Sequence, residues 1–294
     1  LVFDDGVTWR LGEEEFLMTA TTAHAAAVLA WLENLLQTRW PELRVHVAST
    51  TDQWAGVAVA GPRARAALQP LVTDDISNEA LPFMGIVRTR LEVEGGTVPV
   101  MIARISFSGE MAFEVYTPSD YGPAAWHALK NAVEAEWGCV YGTEALGALR
   151  IEKGHVTGAE LDGRTTLEDA GLGRMASTKK PFIGNVLRRR PWLAREDRPQ
   201  LAHFEPVNPE ERFSIGAIVC EPGKVEGHGI GWLTGVTVAP ALEGRFVGIG
   251  FVKGGAEAWA DREVVIADPV RGRETRARVF SAHRLDPKGE RMHG

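Results

Sequence analysis

The last third of the chain is a succession of short apolar segments with Gly and Pro between them, and this pattern constrains the fold more than any other feature. Short strands at regular spacing, separated by turn-forming residues, are typical of a small antiparallel barrel or sandwich. We therefore predict a linker and a C-terminal antiparallel β-barrel over residues 191–294. The five candidate strands are SIGAIVCE, GIGWLTGVTV, RFVGIGFV, EVVIAD and ETRARVFS.

The middle of the chain mixes strands and helices without strict alternation. The apolar run WAGVAVA leads into Gly61-Pro62 and a helical pattern, and residues 120–136 and 142–154 repeat apolar side chains at helical spacing. Three further strand candidates, IVRTRLEVE, VPVMIARISF and AFEVYTP, are separated by short Gly-containing turns and predict a meander. This mixture indicates α+β layers. We assign residues 53–190 to one α+β domain.

The first block, residues 1–52, predicts a hairpin, a helix and one more strand. VTWRL and EFLMT flank the turn GEEE, the helix starts at Thr22 as N-cap and stops before Pro41, and LRVHVAST over residues 43–50 predicts a strand. Since the chain begins with Leu inside a strand-like run, we expect it to be part of a longer polypeptide. The block is then the remnant of a first α+β domain.

Composition excludes several classes of function. The net charge of −7 disfavours general nucleic-acid binding, which needs a basic face. No apolar run approaches the length of a bilayer span, and no basic segment leads into an apolar one as in a signal peptide, so we expect a cytoplasmic protein without membrane association. Two distant cysteines and scattered histidines predict no metal site.

A cationic stretch interrupts this acidic chain between residues 179 and 209, where five prolines also occur. The stretch is consistent with a solvated linker, and equally with a surface that meets an anionic tail or a partner. The sequence leaves both interpretations open. Its basic residues are Lys179, Lys180, Arg188, Arg189, Arg190, Arg195 and Arg198.

Two acidic positions are candidates for chemistry. Asp4 and Asp5 are adjacent, so in an extended segment only one of them points inward, although Asp-Asp-Gly is also a turn sequence in which Gly6 supplies positive φ. In AFEVYTP, strand alternation places Glu114 on the face opposite its bulky neighbours. Each acid is either a site residue or part of an ion-paired surface.

Charged residues also lie at the C-terminal end of the helix predicted over residues 142–154. Arg150 and Glu152 lie in its last turns, and Gly154 terminates it. If these charges are buried, each needs a partner. The alternative is a solvent-exposed, ion-paired helix.

Eight segments, in order along nearly the whole chain, resemble the folate-binding family of the glycine cleavage T-protein, or aminomethyltransferase. YGTEALGALRIEKGH is most similar to the sarcosine oxidase alpha-subunit branch of this family. The resemblance implies three domains in a clover-leaf arrangement around a folate site, with the first domain truncated here. The segments are VFDDG, RLGEEEFLMT, VAVAGPRA, SFSGEMAFEVYTP, YGTEALGALRIEKGH, EDAGLGRM, KKPFIGNVL and GIGWLTGVTVAPALEGRFVGIGFV.

The resemblance also implies roles for individual residues. Asp5 matches a catalytic aspartate near the folate nitrogens, where a fixed carboxylate stabilises developing positive charge and accepts a proton. Glu114 matches the acid that binds the pterin, and Arg150 matches a basic residue lining the folate cavity. Phe107 stands where the family commonly has Tyr, so ring stacking is retained and a hydroxyl contact is lost. Ala112 replaces a usual glycine.

The function implied is the tetrahydrofolate-binding, one-carbon transfer portion of a sarcosine oxidase, which captures the one-carbon unit as 5,10-methylenetetrahydrofolate. Flavin and NAD are then bound only in missing segments or other subunits, and a small amine substrate is delivered through partner subunits of a hetero-oligomer. Two alternatives remain. One is a stand-alone aminomethyltransferase or tetrahydrofolate-dependent demethylase, and the other is a non-catalytic assembly module of the same fold.

Overall fold

The computed structural model describes residues 1–294, which form two compact units. One unit combines Leu1–Phe3 with Thr143–Pro287, and the other combines Asp4–Gly142 with Lys288–Gly294. The domain boundaries predicted after residues 52 and 190 group the chain differently and stay a prediction. No helix in the chain has the length and apolar character needed to cross a membrane.

The unit containing Asp4–Gly142 begins with the predicted hairpin. Strand β1 (Thr8–Arg10) pairs antiparallel with β2 (Phe16–Met18), and helix α1 (Ala25–Thr38) follows. The N-cap prediction is wrong. Residues 22–24 form a turn, and His24 rather than Thr22 precedes the first helical residue.

The strand predicted over residues 43–50 is also wrong, because this segment has no regular secondary structure. Its alternating apolar residues Leu43 and Val45 remain about half exposed, at 49% and 51%. Alternation stabilises a strand only where one face is buried and a partner strand supplies hydrogen bonds. This segment has neither.

The core of the same unit is a four-stranded antiparallel sheet in the order β3-β6-β5-β4. The strands are β3 (Trp54–Ala60), β4 (Ile86–Val93), β5 (Gly96–Ala103) and β6 (Ala112–Pro118), as the meander pattern predicts. Helices α2 (Ala64–Leu68) and α3 (Gly122–Ala135) contribute Leu68 and Leu129 to the apolar core.

The other unit contains helix α4 (Thr143–Lys153) and a closed barrel of six antiparallel strands, which confirms the barrel prediction. The strand order around the barrel is β10-β7-β12-β11-β8-β9. Helix α5 (Glu290–His293) belongs to the unit that contains Asp4–Gly142. The barrel strands are β7 (Pro199–Pro206), β8 (Ile218–Cys220), β9 (Gly231–Ala239), β10 (Arg245–Lys253), β11 (Glu263–Asp268) and β12 (Arg273–Ser281).

Residues 179–209 are predicted as a linker or a crossing segment, and strand β7 corrects the linker interpretation for Pro199–Pro206. Residues 201–205 are all buried, so the strand lacks the apolar-polar alternation of a half-exposed strand. Its prolines, Pro199 and Pro206, lie at the two ends, where a missing N–H group costs least. High proline content therefore concealed a strand that completes the barrel.

Candidate functional site

Glu114 lies on β6, the strand between β3 and β5. Alternation places Phe113 and Val115 in the apolar core and turns Glu114 to the other face, as predicted. Across the sheet Glu114 faces Ala58 on β3 and Ala103 on β5. Both cross-strand neighbours therefore carry small side chains.

Tyr116 shares this face and donates its hydroxyl hydrogen bond to Glu114 Oε2. Burial of the tyrosine and the adjacent carboxylate raise the pKa of Tyr116, so the hydroxyl stays protonated and continues to donate. An ionised carboxylate can accept about four hydrogen bonds. Glu114 therefore keeps capacity for further donors.

Trp9 packs against Tyr116 in a T-shaped arrangement, with ring centroids 6.4 Å apart and an interplanar angle of 63°. The tryptophan is 4% exposed, and its buried Nε1–H has no hydrogen-bond partner in the protein. A buried donor without an acceptor costs free energy, so such groups usually have a partner or mark a binding position. Trp9, Glu114 and Tyr116, here called the β6 cluster, thus combine a free donor with unfilled acceptor capacity.

The adjacent acids near the chain's start have different environments. Asp4 Oδ2 accepts the Thr21 N–H at 3.0 Å, and Oδ1 lies 3.2 Å from His24 Nδ1. Burial raises the pKa of Asp4, but the hydrogen bonds from Thr21, Asp5 and His24 outweigh it and lower the pKa overall. Asp4 therefore caps the turn before α1, while Asp5 is exposed.

Gly6 follows this pair for a reason other than positive φ. A Cβ at Gly6 would lie 2.0 Å from the carbonyl oxygen of Thr19, so only glycine fits the close approach of the two chain segments. Val7 and Thr19 continue the hairpin ladder there, with the Thr19 N–H donating to the Val7 carbonyl at 2.9 Å. Gly6 is not among the glycines with positive φ, so the turn interpretation is wrong for this residue.

Phe107 lies in the loop between β5 and β6 and is half-buried. The loop is shaped by Ser106, whose Oγ accepts the Gly109 N–H at 3.1 Å, and by the positive φ of Gly109. The phenyl ring offers a face for stacking and no hydroxyl.

Arg150 belongs to the other unit and is buried near the end of α4. Its Nη1 donates to Glu160 Oε2 at 3.0 Å and to the His155 carbonyl at 3.2 Å. Glu152 is also buried and accepts the Ala241 N–H at 2.9 Å. The charges at this helix end are buried and partnered, and are not a solvent-exposed ion-paired face.

The structure thus places Asp5, Phe107 and Glu114 in one unit and Arg150 in the other. Sequence reasoning missed two members of the β6 cluster. Tyr116 was recognisable, since it is two residues from Glu114 on the same strand face. Trp9 was not, because nothing in the sequence pairs it with a residue more than a hundred positions away.

The amino-acid sequence is similar to known proteins over most of its length. The family model described as the GCVT N-terminal domain matches residues 1–180. The sarcosine oxidase alpha subunits of Rhizobium meliloti (strain 1021) and Corynebacterium sp. (strain P-1) are 39% and 41% identical over 99% and 100% of this chain. The chain spans about 30% of the length of each of these relatives.

Two further proteins are similar over most of the chain. An aminomethyltransferase of Rubrobacter xylanophilus is 32% identical over 97% of this chain and 72% of its own length. The crystal structure of glycine cleavage system aminomethyltransferase T from Bartonella henselae superposes with a TM-score of 0.72 at 24% identity, covering 95% of this chain and 71% of that one. The chain therefore has the aminomethyltransferase T fold.

Proposed function

Since the chain belongs to the GCVT family, we propose that it is the tetrahydrofolate-binding, one-carbon transfer portion of a sarcosine oxidase alpha subunit. The identity of about 40% to two such subunits over the whole chain supports this branch of the family. The single observation that carries the proposal is the β6 cluster. In this cluster Tyr116 joins an acceptor-rich carboxylate, to which it donates, to the ring of Trp9, whose buried indole N–H has no partner.

The residues of the β6 cluster fit a reduced pterin. A pterin carries an N–H and an amino group side by side, which a carboxylate accepts as a pair, and a carbonyl oxygen that can accept from an indole. Glu114 is the proposed acceptor and Trp9 the proposed donor. Phe107 supplies an aromatic face for stacking, and Tyr116 holds the Glu114 carboxylate in place by its hydrogen bond.

Asp5 is the proposed catalytic carboxylate. Tetrahydrofolate supplies the nitrogens that take up a one-carbon unit. A carboxylate fixed near the reacting atoms stabilises positive charge in the transition state and accepts the proton that is released. Asp4 supports this role indirectly, because its hydrogen bonds to Thr21 and His24 fix the neighbouring backbone.

We propose that the oxidation of the amine takes place in other parts of the intact protein. Sarcosine would be oxidised at a flavin held in segments or subunits outside this chain, with NAD bound there as well. The released one-carbon unit would be captured as 5,10-methylenetetrahydrofolate. We place the assembly, a hetero-oligomer, in the cytoplasm.

A second candidate function is a stand-alone aminomethyltransferase. The Rubrobacter xylanophilus relative supports it, since this chain covers 72% of that protein. The two candidates differ in the donor of the one-carbon unit. An oxidase portion needs an amine and a flavin partner, whereas an aminomethyltransferase takes the unit from an aminomethylated carrier.

The test is a product assay on the full-length protein supplied with sarcosine and tetrahydrofolate, comparing the wild type with Asp5→Ala. We expect the wild type to form 5,10-methylenetetrahydrofolate. We expect Asp5→Ala to slow transfer far more than it weakens folate binding, because Asp5 acts on charge present in the transition state. Equal losses of transfer and binding would contradict the assigned role.

A further inference from the structure

The segment over residues 174–195, here called the basic surface, concentrates positive charge on an acidic chain. It contains seven basic and no acidic residues, whereas the whole chain has a net charge of −7. Arg188 pairs with Glu168 and Arg195 with Asp197, just outside the segment. The other five basic side chains are exposed and form no ion pair within the chain. They are Arg174, Lys179, Lys180, Arg189 and Arg190.

The basic surface also exposes large apolar side chains. Eight such side chains in the whole chain are at least 60% exposed, and four of these lie within this short segment. Exposed apolar side chains that lie close together mark interaction sites in soluble proteins, and Met, Trp and Arg are enriched in protein interfaces. The four are Met175, Ile183, Val186 and Trp192.

The backbone that presents these side chains is held in place. The Arg188 N–H donates to the Gly184 carbonyl at 3.2 Å, and the Arg188 side chain ties the segment to the turn that contains Glu168. The Arg195 guanidinium stacks on Trp192, 4.0 Å from the ring centroid. Because the surface is already ordered, a partner that binds it loses little affinity to the ordering of this segment.

Charge and apolar side chains together select one class of anionic partner. A nucleic acid or an anionic tail would pair with the basic side chains and leave the aliphatic side chains of Ile183 and Val186 in water. A membrane surface usually takes an amphipathic helix, and this segment contains only two three-residue 3-10 helices, Gly173–Met175 and Leu187–Arg189. An acidic protein surface with an apolar centre complements both properties.

We propose that the basic surface docks a partner subunit of the hetero-oligomer through an acidic face whose centre is apolar. The inference rests on the hetero-oligomer in the proposed function and extends it by naming the surface that the partner covers. Complementary charge guides the encounter and fixes the orientation of the two proteins. A few side chains buried at the centre of an interface supply most of its binding energy, and Val186 and Trp192 have this role here.

The first experiment uses zero-length cross-linking of the full-length protein purified with its partner subunits. A carbodiimide joins a lysine amine to a carboxylate that it contacts directly. Lys179 or Lys180 should become cross-linked to an aspartate or glutamate of a different subunit, which peptide mass spectrometry identifies. Cross-links from these lysines only to a second copy of this chain would overturn the inference.

The second experiment measures assembly in matched variants of the same protein. Val186 is 81% exposed, and Val270, in the turn between β11 and β12, is 89% exposed, so neither substitution by Glu should unfold the chain. Val186→Glu should raise the subunit dissociation constant at least about tenfold, because it removes an apolar contact and places a negative charge against an acidic face. Val270→Glu should leave the constant within about twofold.

A charge reversal tests the electrostatic part of the inference separately. Arg189→Glu should raise the same dissociation constant at least about threefold, and the loss should shrink as salt is added. Arg44→Glu is the control, since Arg44 is exposed in a segment without regular secondary structure outside the basic surface. It should assemble as the wild type does.

Two outcomes of the assembly measurements would overturn the inference. One is an equal effect of Val186→Glu and Val270→Glu. The other is unchanged assembly by Val186→Glu together with loss of binding to phosphatidylserine vesicles, which would assign the surface to a membrane. Full-length protein that purifies without any partner subunit defeats the proposed hetero-oligomer and this inference with it, whereas a hetero-oligomer that tolerates Val186→Glu defeats this inference alone.

Discussion

The N-terminal block and the barrel bury their residues to very different extents. Among the first fifty residues only Trp9 and Leu35 are buried, whereas β7 alone has five consecutive buried residues in a closed sheet. No residue before Val59 is a buried member of an apolar cluster. The proposed catalytic Asp5 thus lies in a segment positioned by a few hydrogen bonds and one close backbone approach rather than by a core.

The largest expected effect is on the free energy of unfolding, and it comes from comparing a Phe→Ala substitution in the barrel with one in the N-terminal block. Phe204 on β7 is 0% exposed, and Phe16 on β2 is 60% exposed. Phe204→Ala should lower the free energy of unfolding by about 3–5 kcal/mol, from lost burial and the cavity left behind. Phe16→Ala should change it by less than about 0.5 kcal/mol. Urea denaturation measures both, and a large loss from Phe16→Ala would remove the contrast.

The next effect is a pH dependence of stability that comes from His203 on β7. Burial lowers the pKa of His203 from 6.5 to about 3, helped by the positive charges of Arg284, His283 and Arg150 and opposed by the backbone of Ile151. The unfolded chain therefore binds a proton that the folded chain excludes. Stability should fall by about 1.4 kcal/mol per pH unit as pH drops below 6.5 toward 3.

His203→Leu serves as the control for this slope. It should reduce the pH dependence of the unfolding free energy between about pH 6 and 4. The reason is that the unfolded variant no longer has the histidine that binds a proton excluded from the folded chain. Burial also lowers the pKa of His283, so that residue retains a contribution of the same sign. An unchanged slope in His203→Leu would assign the acid sensitivity elsewhere.

The smallest effect separates the two adjacent acids. Asp4→Ala removes the acceptor for the Thr21 N–H and should cost about 1 kcal/mol of stability. Asp5→Ala, the matched control, should leave stability within about 0.5 kcal/mol while slowing one-carbon transfer. Thermal unfolding and the transfer assay on both variants check the pattern. Reversed effects would exchange the roles of Asp4 and Asp5.

The sequence predicted the fold best where burial and pattern agree. The barrel strands and the meander follow from alternation and Gly-containing turns, and both are present. Alternation at Leu43 and Val45 predicted a strand that no sheet edge pairs with. Strand β7 was missed for the opposite reason, since it is too uniformly buried to alternate. A local sequence pattern does not indicate whether a neighbouring strand is available for pairing.

The candidate site also combines features that the local sequence predicts with features that depend on contacts between distant segments. The orientation of Glu114 followed from its two neighbours on the strand, because face is a local property. The pairing of Trp9 with Tyr116 and of Arg150 with Glu160 depends on how separate segments meet. For the adjacent acids, strand alternation limited the choice to two, the resemblance selected Asp5 for the site, and the hydrogen bonds to Thr21 and His24 show that Asp4 caps the turn.

The most direct test is an equilibrium titration of the full-length protein with tetrahydrofolate, on the wild type and on Glu114→Gln. The account predicts saturable binding by the wild type. For Glu114→Gln it predicts a loss of about 1.5–3 kcal/mol, since a hydrogen bond to a charged group is removed. A dissociation constant that is the same for both proteins would exclude the β6 cluster as the folate site.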